Sequence, residues 1–152
     1  MKNNFSYISL PADCNCIAIT DYTGNEEKII IPEKIDEKQV REINGWVFYA
    51  NNMVKEITIP NGVTSIGSHV FADCHKLEKV TLPDTIRKIS FNAFTNCISL
   101  KTIVCKGTEE QWNKMDLLTH INLFNVDIKF DKSSKLSEFL NNCKDAEEIR
   151  KE

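Results

Sequence analysis

The stretch TIPNGVTSIGSHVFADCHKLEKV at residues 58–80 is followed directly by TLPDTIRKISFNAFTNCISLKTI at residues 81–103. The two blocks have the same length, so each position of the first has a counterpart 23 residues later in the second. Residues are identical at Thr58/Thr81, Pro60/Pro83, Ile66/Ile89, Phe71/Phe94, Cys74/Cys97 and Leu77/Leu100. Such self-similarity at a fixed period indicates a repeat architecture.

An earlier copy of the same pattern precedes these blocks. It begins at Ile31-Pro32, and from Val40 onward its apolar residues follow the spacing of the later copies. Five extra residues lie between Pro32 and Val40. We expect this insertion, within residues 33–39, to form a surface loop, because loops tolerate added residues better than packed elements do.

A unit of 23 residues cannot bury its own apolar side, but stacked units convert repeated apolar positions into continuous interior columns. The alternation in Leu77-x-x-Val80-x-Leu82 predicts one short parallel strand in each unit, which Pro83 ends. A tight bend is expected at the shared position of Asn44, Gly67 and Ser90, since asparagine and glycine tolerate positive φ. The Phe-x-x-Cys segments, at Phe71 to Cys74 and Phe94 to Cys97, predict one short helical or 3₁₀ turn.

The pattern I-P-x-x-V-x-x-I-G-x-x-V-F-x-x-C-x-x-L-x-x-V at Ile59 to Val80 resembles the BspA-type leucine-rich repeat. The lead-in from Ile19 to Gly24 is similar to the family's first repeat, and Lys106 to Trp112 is similar to its C-terminal closure. The resemblance covers about residues 16–130. It implies a protein-binding module of a family that includes bacterial surface and adhesion proteins, many of them exported.

The fold class predicted from these observations is α/β, a leucine-rich-repeat solenoid of short parallel strands with about three to four coils of 23 residues. We use "coil" for one such repeat. Residues 1–27 are predicted to form an N-terminal β-hairpin cap, and residues 28–107 the repeats. Residues 108–130 are predicted to form a helix and strand cap, and residues 131–152 an amphipathic helix, all within one structural domain.

Composition restricts the classes of partner. The 152 residues carry a net charge of −3, so no basic field is present to hold nucleic acid or an anionic membrane surface. Residues 1–25 lack the apolar core of a secretory signal, and no stretch is long enough for a membrane helix. The expected location is therefore cytoplasmic, or the cell surface if the chain is a fragment of a longer exported protein.

The six cysteines are predicted to be structural thiols rather than metal ligands or redox groups. Cys74 and Cys97 share an inward repeat position, and Cys105 continues an apolar column. Neighbouring rungs lie within disulfide reach, yet a reduced Cys74 and Cys97 pair is favoured. Cys14 and Cys16 lack the two-residue spacer that is usual in a redox or zinc pair.

No reaction is predicted, and the chain is interpreted as a non-enzyme without a cofactor or metal. His69, His75 and His120 have no ligand partner at a metal-binding spacing, and the sequence contains no nucleophile elbow, phosphate loop or zinc-protease motif. Asp73-Cys74-His75 is a poor site, because Cys74 should point inward and its neighbours outward.

The outward strand positions provide the candidate partner-binding face. Repeat arithmetic places Lys28, Glu56, Lys79 and Thr102 in one column, and Ile30, Thr58, Thr81 and Val104 in the next. Two interpretations stay open. The columns either support the sheet as a ladder of charge pairs and threonines, or they bind a partner together with the loop from Glu33 to Gln39.

Three functional hypotheses follow. The first is a non-catalytic protein-interaction module with an unknown protein partner, monomeric or weakly dimeric through the C-terminal helix. The second is a structural spacer or adhesion-type domain of a larger surface protein. The third is a metal or redox protein that uses Cys14, Cys16 or Cys143.

Overall fold

The computed structural model describes residues 4–11, 15–117, 123 and 125–131. This part of the chain forms twelve strands and one helix. The strands are β1 (Phe5–Ser9), β2 (Cys16–Tyr22), β3 (Lys28–Ile30), β4 (Lys34–Ile35), β5 (Lys38–Ile43), β6 (Glu56–Thr58), β7 (Ser65–Ile66), β8 (Lys79–Pro83), β9 (Lys88–Ile89), β10 (Thr102–Lys106), β11 (Asp116–Leu117) and β12 (Asp127–Phe130). The helix α1 (Glu109–Asn113) precedes β11.

The strands form two sheets, between which the chain alternates. The first has the order β1-β2-β5-β7-β9-β11, with β4 also paired to β5, and the second has the order β3-β6-β8-β10-β12. All pairs are parallel except β1 with β2 and β4 with β5. The predicted leucine-rich-repeat solenoid is confirmed, but it has about five coils rather than three to four, and little helix.

The register of the second sheet follows the 23-residue period. Lys79 pairs with Glu56 on one side and with Thr102 on the other, and the next residues pair in the same way. The central residue of each rung points inward, so Ile57, Val80 and Ile103 are at most 1% exposed. Parallel pairing therefore turns one repeat position into one buried column.

The second strand of the central coils is too short to be recognised from the sequence pattern. β7 and β9 are two residues each, and only Ile66 and Ile89 within them are buried. A two-residue strand gives no alternation to recognise, so the sequence predicted one strand per coil where the structure has two.

A column of aromatic rings runs through the core. Tyr22, Phe48, Phe71 and Phe94 follow one another with ring centroids 5.2, 5.5 and 5.3 Å apart. The three phenylalanines lie nearly parallel, at 11° and 15°, and are at most 2% exposed. Each ring removes a large apolar area from water, and contact between the rings adds to that burial.

The segments between the sheets form a third ladder, here called the turn face (residues 44–53, 67–76 and 90–99). The Trp46 N–H donates to the Ser68 carbonyl at 3.1 Å, and the Phe48 N–H donates to the Val70 carbonyl at 3.0 Å. Within one segment, the Cys74 N–H donates to the Phe71 carbonyl at 3.2 Å. The predicted single turn is therefore present as hydrogen-bonded turns, not as helix.

The predicted position of the bend is wrong by two residues. Positive φ occurs at Trp46, His69 and Asn92, with values of 69°, 58° and 55°, and not at Asn44 or Gly67. Glycine is needed at position 67 for another physical reason. A Cβ atom there would lie 2.4 Å from the Gly45 nitrogen, so glycine permits two neighbouring coils to approach closely.

The inserted residues of the earlier copy form a tight hairpin. β4 pairs antiparallel with β5, with Lys34 opposite Gln39 and Ile35 opposite Lys38. The two connecting residues, Asp36 and Glu37, have positive φ of 48° and 61°, which is the conformation that two-residue hairpins favour.

The two ends of the described solenoid differ in construction. At the front, β1 pairs antiparallel with β2. At the rear, Thr108 and Gln111 form a capping box that begins α1, where Trp112 is buried. Residues 132–152, which include most of the predicted amphipathic helix, lie outside the described residues, and the predicted segment boundaries stay predictions.

Replacing Gly67 by alanine tests the close approach between coils. We expect Gly67→Ala to lower the free energy of unfolding by roughly 1–3 kcal/mol, because the added methyl group overlaps the backbone of Gly45. Ser90→Ala is the matched control, since Ser90 occupies the same repeat position and already carries a Cβ atom. It should change stability by less than about 0.5 kcal/mol. Equal urea midpoints for both variants would contradict the explanation.

Candidate functional site

The structure aligns the predicted outward residues on the exposed side of the second sheet, here called the strand face. Lys28 pairs with Glu56, which pairs with Lys79 and then Thr102. The second column contains Ile30, Thr58, Thr81 and Val104 in matching register. β12 adds a fifth rung, in which Asp127 and Lys129 extend the two columns.

The strand face pairs much of its own charge. Lys28 Nζ lies 3.0 Å from Glu56 Oε1, so the first two residues of one predicted column form an ion pair. One residue before these strands, Lys55 Nζ lies 2.9 Å from Glu27 Oε1, and the hydrogen bond from Lys55 lowers the pKa of the Glu27 carboxyl. These pairs are exposed to solvent, which screens them, so each contributes little to stability. The ladder interpretation of the charged column is thus consistent with the geometry at its first two rungs.

A cavity of about 450 Å³ opens where the strand face meets the inserted hairpin. Lys28 and Ile30 line it from β3, whereas Lys34, Ile35 and Asp36 line it from the hairpin. The remaining lining residues are Asn4, Phe5, Tyr22, Glu26, Ile29 and Pro32. The cavity joins two parts of the predicted binding surface that are separate in the sequence.

Hydrogen bonds hold the polar wall of this cavity. The Tyr22 hydroxyl donates to the Glu26 carboxylate, which also accepts from Asn4 Nδ2 at 3.1 Å. Burial and the contact with Glu26 raise the pKa of Tyr22, and the hydrogen bond from Tyr22 lowers the pKa of Glu26. Glu26 therefore stays ionised and fixed in position at neutral pH.

Two cysteines of the repeats, Cys74 and Cys105, are buried thiols, and Cys97 is a half-buried one. Cys74 and Cys97 are free, and their Sγ atoms donate to the carbonyls of Phe48 and Phe71, each at 2.9 Å. Burial raises the pKa of Cys74, Cys97 and Cys105 to about 12. The prediction of a thiol is wrong for Cys16, because this residue is disulfide-bonded.

The aromatic residues of the turn face were not identified from the sequence. The Trp46 indole stacks on the His69 imidazole, with centroids 4.3 Å apart and planes at 6°. Tyr49 contacts Trp46 edge to face at 5.0 Å, and Phe91 contacts His69 at 6.0 Å. The only sequence signal was positional, because Trp46 and His69 are 23 residues apart but differ in residue type.

Two features are absent from the described ranges. They contain no group of three or more side chains that could hold a metal ion. They also contain no helix long and apolar enough to cross a bilayer. Asp73 and His75 flank the buried Cys74 but point away from it towards the surface, as predicted.

The raised thiol pKa values predict slow alkylation of the native protein. At pH 8 a thiol of pKa about 12 has roughly a thousandfold less thiolate than an exposed one. We expect Cys74, Cys97 and Cys105 to react slowly with iodoacetamide, and rapidly after unfolding in urea. Peptide mass spectrometry distinguishes the three sites. Native and unfolded rates that agree within tenfold would contradict the burial argument.

Comparison with known proteins places this geometry in a family. The family profile described as BspA type Leucine rich repeat region matches residues 21–147 in six copies. No curated protein matches the sequence. The structure is similar to a Treponema pallidum leucine-rich-repeat protein, with a TM-score of 0.62 and 27% identity over 84% of this chain and 62% of that one.

Two further structures share the fold. A leucine rich cell surface protein from Faecalibacterium prausnitzii matches with a TM-score of 0.60 and 24% identity, over 88% of this chain and 42% of that one. A Bacteroides capillosus leucine-rich-repeat protein matches with a TM-score of 0.65 and 20% identity, over 84% of this chain and 94% of that one. The chain spans less than two thirds of the first two proteins. It belongs to the BspA-type leucine-rich-repeat family.

Proposed function

We propose that this protein is a non-catalytic protein-interaction module that binds an extended segment of its partner on the strand face. The observation that carries the proposal is the cavity of about 450 Å³ at the junction of the strand face and the inserted hairpin. Its volume lies within the range of roughly 300–1,000 Å³ that is typical of ligand pockets.

The side chains at this junction favour an apolar anchor. Ile30 is 76% exposed at the mouth of the cavity, and Phe5, Ile29 and Ile35 form apolar parts of its lining. An anchor of this kind, surrounded by polar contacts, is the usual energetic centre of a protein interface. The ion pair between Lys28 and Glu56 then belongs to the polar rim.

The strand face provides room for the rest of the segment. Five rungs at about 4.8 Å extend over roughly 20 Å, which matches a peptide better than a folded domain. Among the described residues Lys79 takes part in no salt bridge, so its ammonium group is available to an acidic side chain of the partner. Lys79 can in this way determine the direction in which the segment lies.

A peptide-display selection against the immobilised protein tests this function. We expect selected peptides to share an apolar anchor residue and to bind at least about tenfold more weakly to Ile30→Asp, because the charge must be desolvated at the cavity mouth. Glu56→Lys and Lys79→Glu should change which peptides are preferred. Isothermal titration of synthetic peptides measures each affinity.

The matched control is Lys88→Glu, which reverses an exposed charge on β9 in the first sheet and should leave peptide affinity unchanged. Thermal unfolding of every variant verifies that it is folded. Equal affinity of wild type, Ile30→Asp, Glu56→Lys and Lys79→Glu for all selected peptides would remove the strand face from the proposal.

A second candidate is a domain of a surface-exposed protein, with adhesion or spacing as its role. The similarity to the cell surface protein of Faecalibacterium prausnitzii favours it. Proteolysis of intact cells, followed by immunodetection of the protein, separates the two locations. A surface domain is expected to be lost from intact cells together with other surface proteins. Protection until the cells are lysed would instead support the predicted cytoplasmic location.

A further inference from the structure

We propose that the partner segment enters the cavity as a further strand of the second sheet and pairs with the open edge of β3. It carries an acidic residue beside Lys28, an apolar residue beside Ile29 and a β-branched residue beside Ile30. This inference rests on the proposed function, because its occupant is the extended segment described there. It specifies how the backbone of the anchored part is held and which residues that part contains.

One side of β3 has backbone groups that face no described strand. β3 is the last strand of the second sheet, and among the described residues only β6 pairs with it. The Glu27 carbonyl and the Ile31 N–H, just before and after β3, form hydrogen bonds of 3.0 and 3.1 Å with β6. Backbone groups of successive residues in a strand point to opposite sides, so those of Lys28 and Ile30 point away from β6. Such an edge is where an extended peptide adds to a sheet.

The cavity lies where the described second sheet is one rung shorter than the first. At the front of the solenoid β1 adds a rung to the first sheet beyond β2, but the second sheet ends at β3, which follows β2 in the same coil. Asn4, just before β1, and Phe5 line the cavity together with all three residues of β3. We call the position beside β3 the vacant rung. It is bounded by β1 and by the inserted hairpin.

The charged groups around the vacant rung favour an acidic residue in the segment. Both carboxylates of the lining already accept hydrogen bonds, Glu26 from Tyr22 and Asp36 from Tyr7. The ammonium group of Lys34, which also lines the cavity, takes part in no salt bridge among the described residues. A carboxylate of the partner therefore meets a cation that has no described ionic partner.

The charge column of the strand face places this carboxylate. Charges alternate along Lys28, Glu56 and Lys79, so the next position beyond Lys28 continues the alternation with an acid. The Lys28 ammonium has three donors, and its one described carboxylate partner is Glu56 at 3.0 Å. The Lys28 side chain is 72% exposed and accessible to a second carboxylate. Opposite charges on neighbouring strands stabilise the pair.

The other two columns determine the residues beside Ile29 and Ile30. Ile29 begins the buried column that continues with Ile57 and Val80, each at most 4% exposed. Its neighbour on the vacant rung points into the cavity and is apolar. The outward column that begins at Ile30 consists of β-branched residues throughout, and residues of this type pack well against one another on a sheet.

A second copy of the chain does not match the vacant rung in both depth and charge. Stacked front to rear, it would present β11 and β12, the last described strands of the two sheets, and would contact β1 before it reached β3. Stacked front to front, it would place its own β1 there, and the sequence of Phe5–Ser9 contains no acidic residue. An extended partner segment with an acidic residue satisfies both conditions.

A peptide with the sequence of residues 54–60, Val-Lys-Glu-Ile-Thr-Ile-Pro, is a defined probe for the vacant rung. Its Glu-Ile-Thr is the sequence of β6, which pairs in parallel with the other side of β3. We expect a fluorescein-labelled form to bind saturably in fluorescence anisotropy. The charge-reversed peptide Val-Lys-Lys-Ile-Thr-Ile-Pro should bind roughly fivefold more weakly, because its second lysine lies beside Lys28.

N-methylation of the probe distinguishes backbone pairing from side-chain contact. In parallel pairing the N–H of the first isoleucine of the peptide donates to the Lys28 carbonyl, whereas the N–H groups of the glutamate and the threonine point away. We expect N-methylation at this isoleucine to weaken binding at least about tenfold, and at the glutamate or the threonine by less than about threefold. Peptides from the display selection should show the same alternation.

Two substitutions at one position test the pairing from the side of the protein. Lys28→Ala and Lys28→Pro both remove the ammonium group, but only proline also removes the N–H that points into the vacant rung. Because this N–H does not bond to β6, both variants should fold, which thermal unfolding verifies. We expect Lys28→Pro to bind the probe at least about fivefold more weakly than Lys28→Ala. Lys88→Glu in the first sheet is the control and should bind like the wild type.

Failure of this inference is distinguishable from failure of the proposed function. Selected peptides that lose affinity for Ile30→Asp, but bind Lys28→Pro and Lys28→Ala equally and show no alternation on N-methylation, would leave the function standing and overturn the pairing with β3. A probe that does not bind the wild type would overturn the pairing as well. Alternating N-methylation effects without any effect of Ile30→Asp, Glu56→Lys or Lys79→Glu would support the pairing and remove the strand face from the function.

Two results would assign the vacant rung to another occupant and so overturn the inference. The first is a dimer in sedimentation equilibrium that Lys28→Pro dissociates and Lys28→Ala does not, which would indicate a second copy. The second is a gain in probe affinity of at least about tenfold after deletion of residues 1–3, which would indicate that the chain fills the rung with its own N-terminal segment.

Discussion

Consecutive coils of this solenoid exchange backbone hydrogen bonds on two sheets and on the turn face. Ile59 N–H donates to the Thr81 carbonyl at 2.9 Å in the second sheet, and Gly67 N–H donates to the Ile43 carbonyl at 2.8 Å in the first. Three ladders leave a coil no freedom to shift relative to its neighbour, because a shift in one ladder would break the others. Every side chain then lies about 4.8 Å from its counterpart in the next coil. The core and the surface columns depend on this constraint.

The same constraint explains Cys74 and Cys97 by packing and hydrogen bonding alone. A column position can accept a residue only if its counterparts in the adjacent coils leave room for it, which favours small side chains at Cys74 and Cys97. Each thiol also donates to a carbonyl 26 residues earlier in the chain. Alanine would fit the space without donating, and serine would place a more polar group in the core. Cysteine is small enough for the column and also donates a hydrogen bond, so its recurrence needs no metal or redox role.

The features predicted correctly from the sequence are those that the register between repeats determines. The inward positions of Val80, Leu82 and Cys105 and the pairing of Lys28 with Glu56 followed from counting residues. The bend was misplaced because a glycine has two possible roles. Gly67 serves the close approach of two backbones rather than positive φ, and only coordinates distinguish these. The cavity was not predicted, because Phe5, Tyr22 and Lys34 come from separate elements that share no sequence pattern.

The turn face shows why position in a column can matter more than residue type. An aromatic ring inside a column is covered on both sides by its neighbours, as Phe71 is by Phe48 and Phe94. Such a ring contributes to stability but is closed to a ligand. An open aromatic face can arise only where a column begins or ends, and Trp46 stands at such a step because β2 replaces the turn in the preceding coil. A repeat protein therefore gains distinct surfaces from its irregular coils, where the period that stabilises the fold is interrupted.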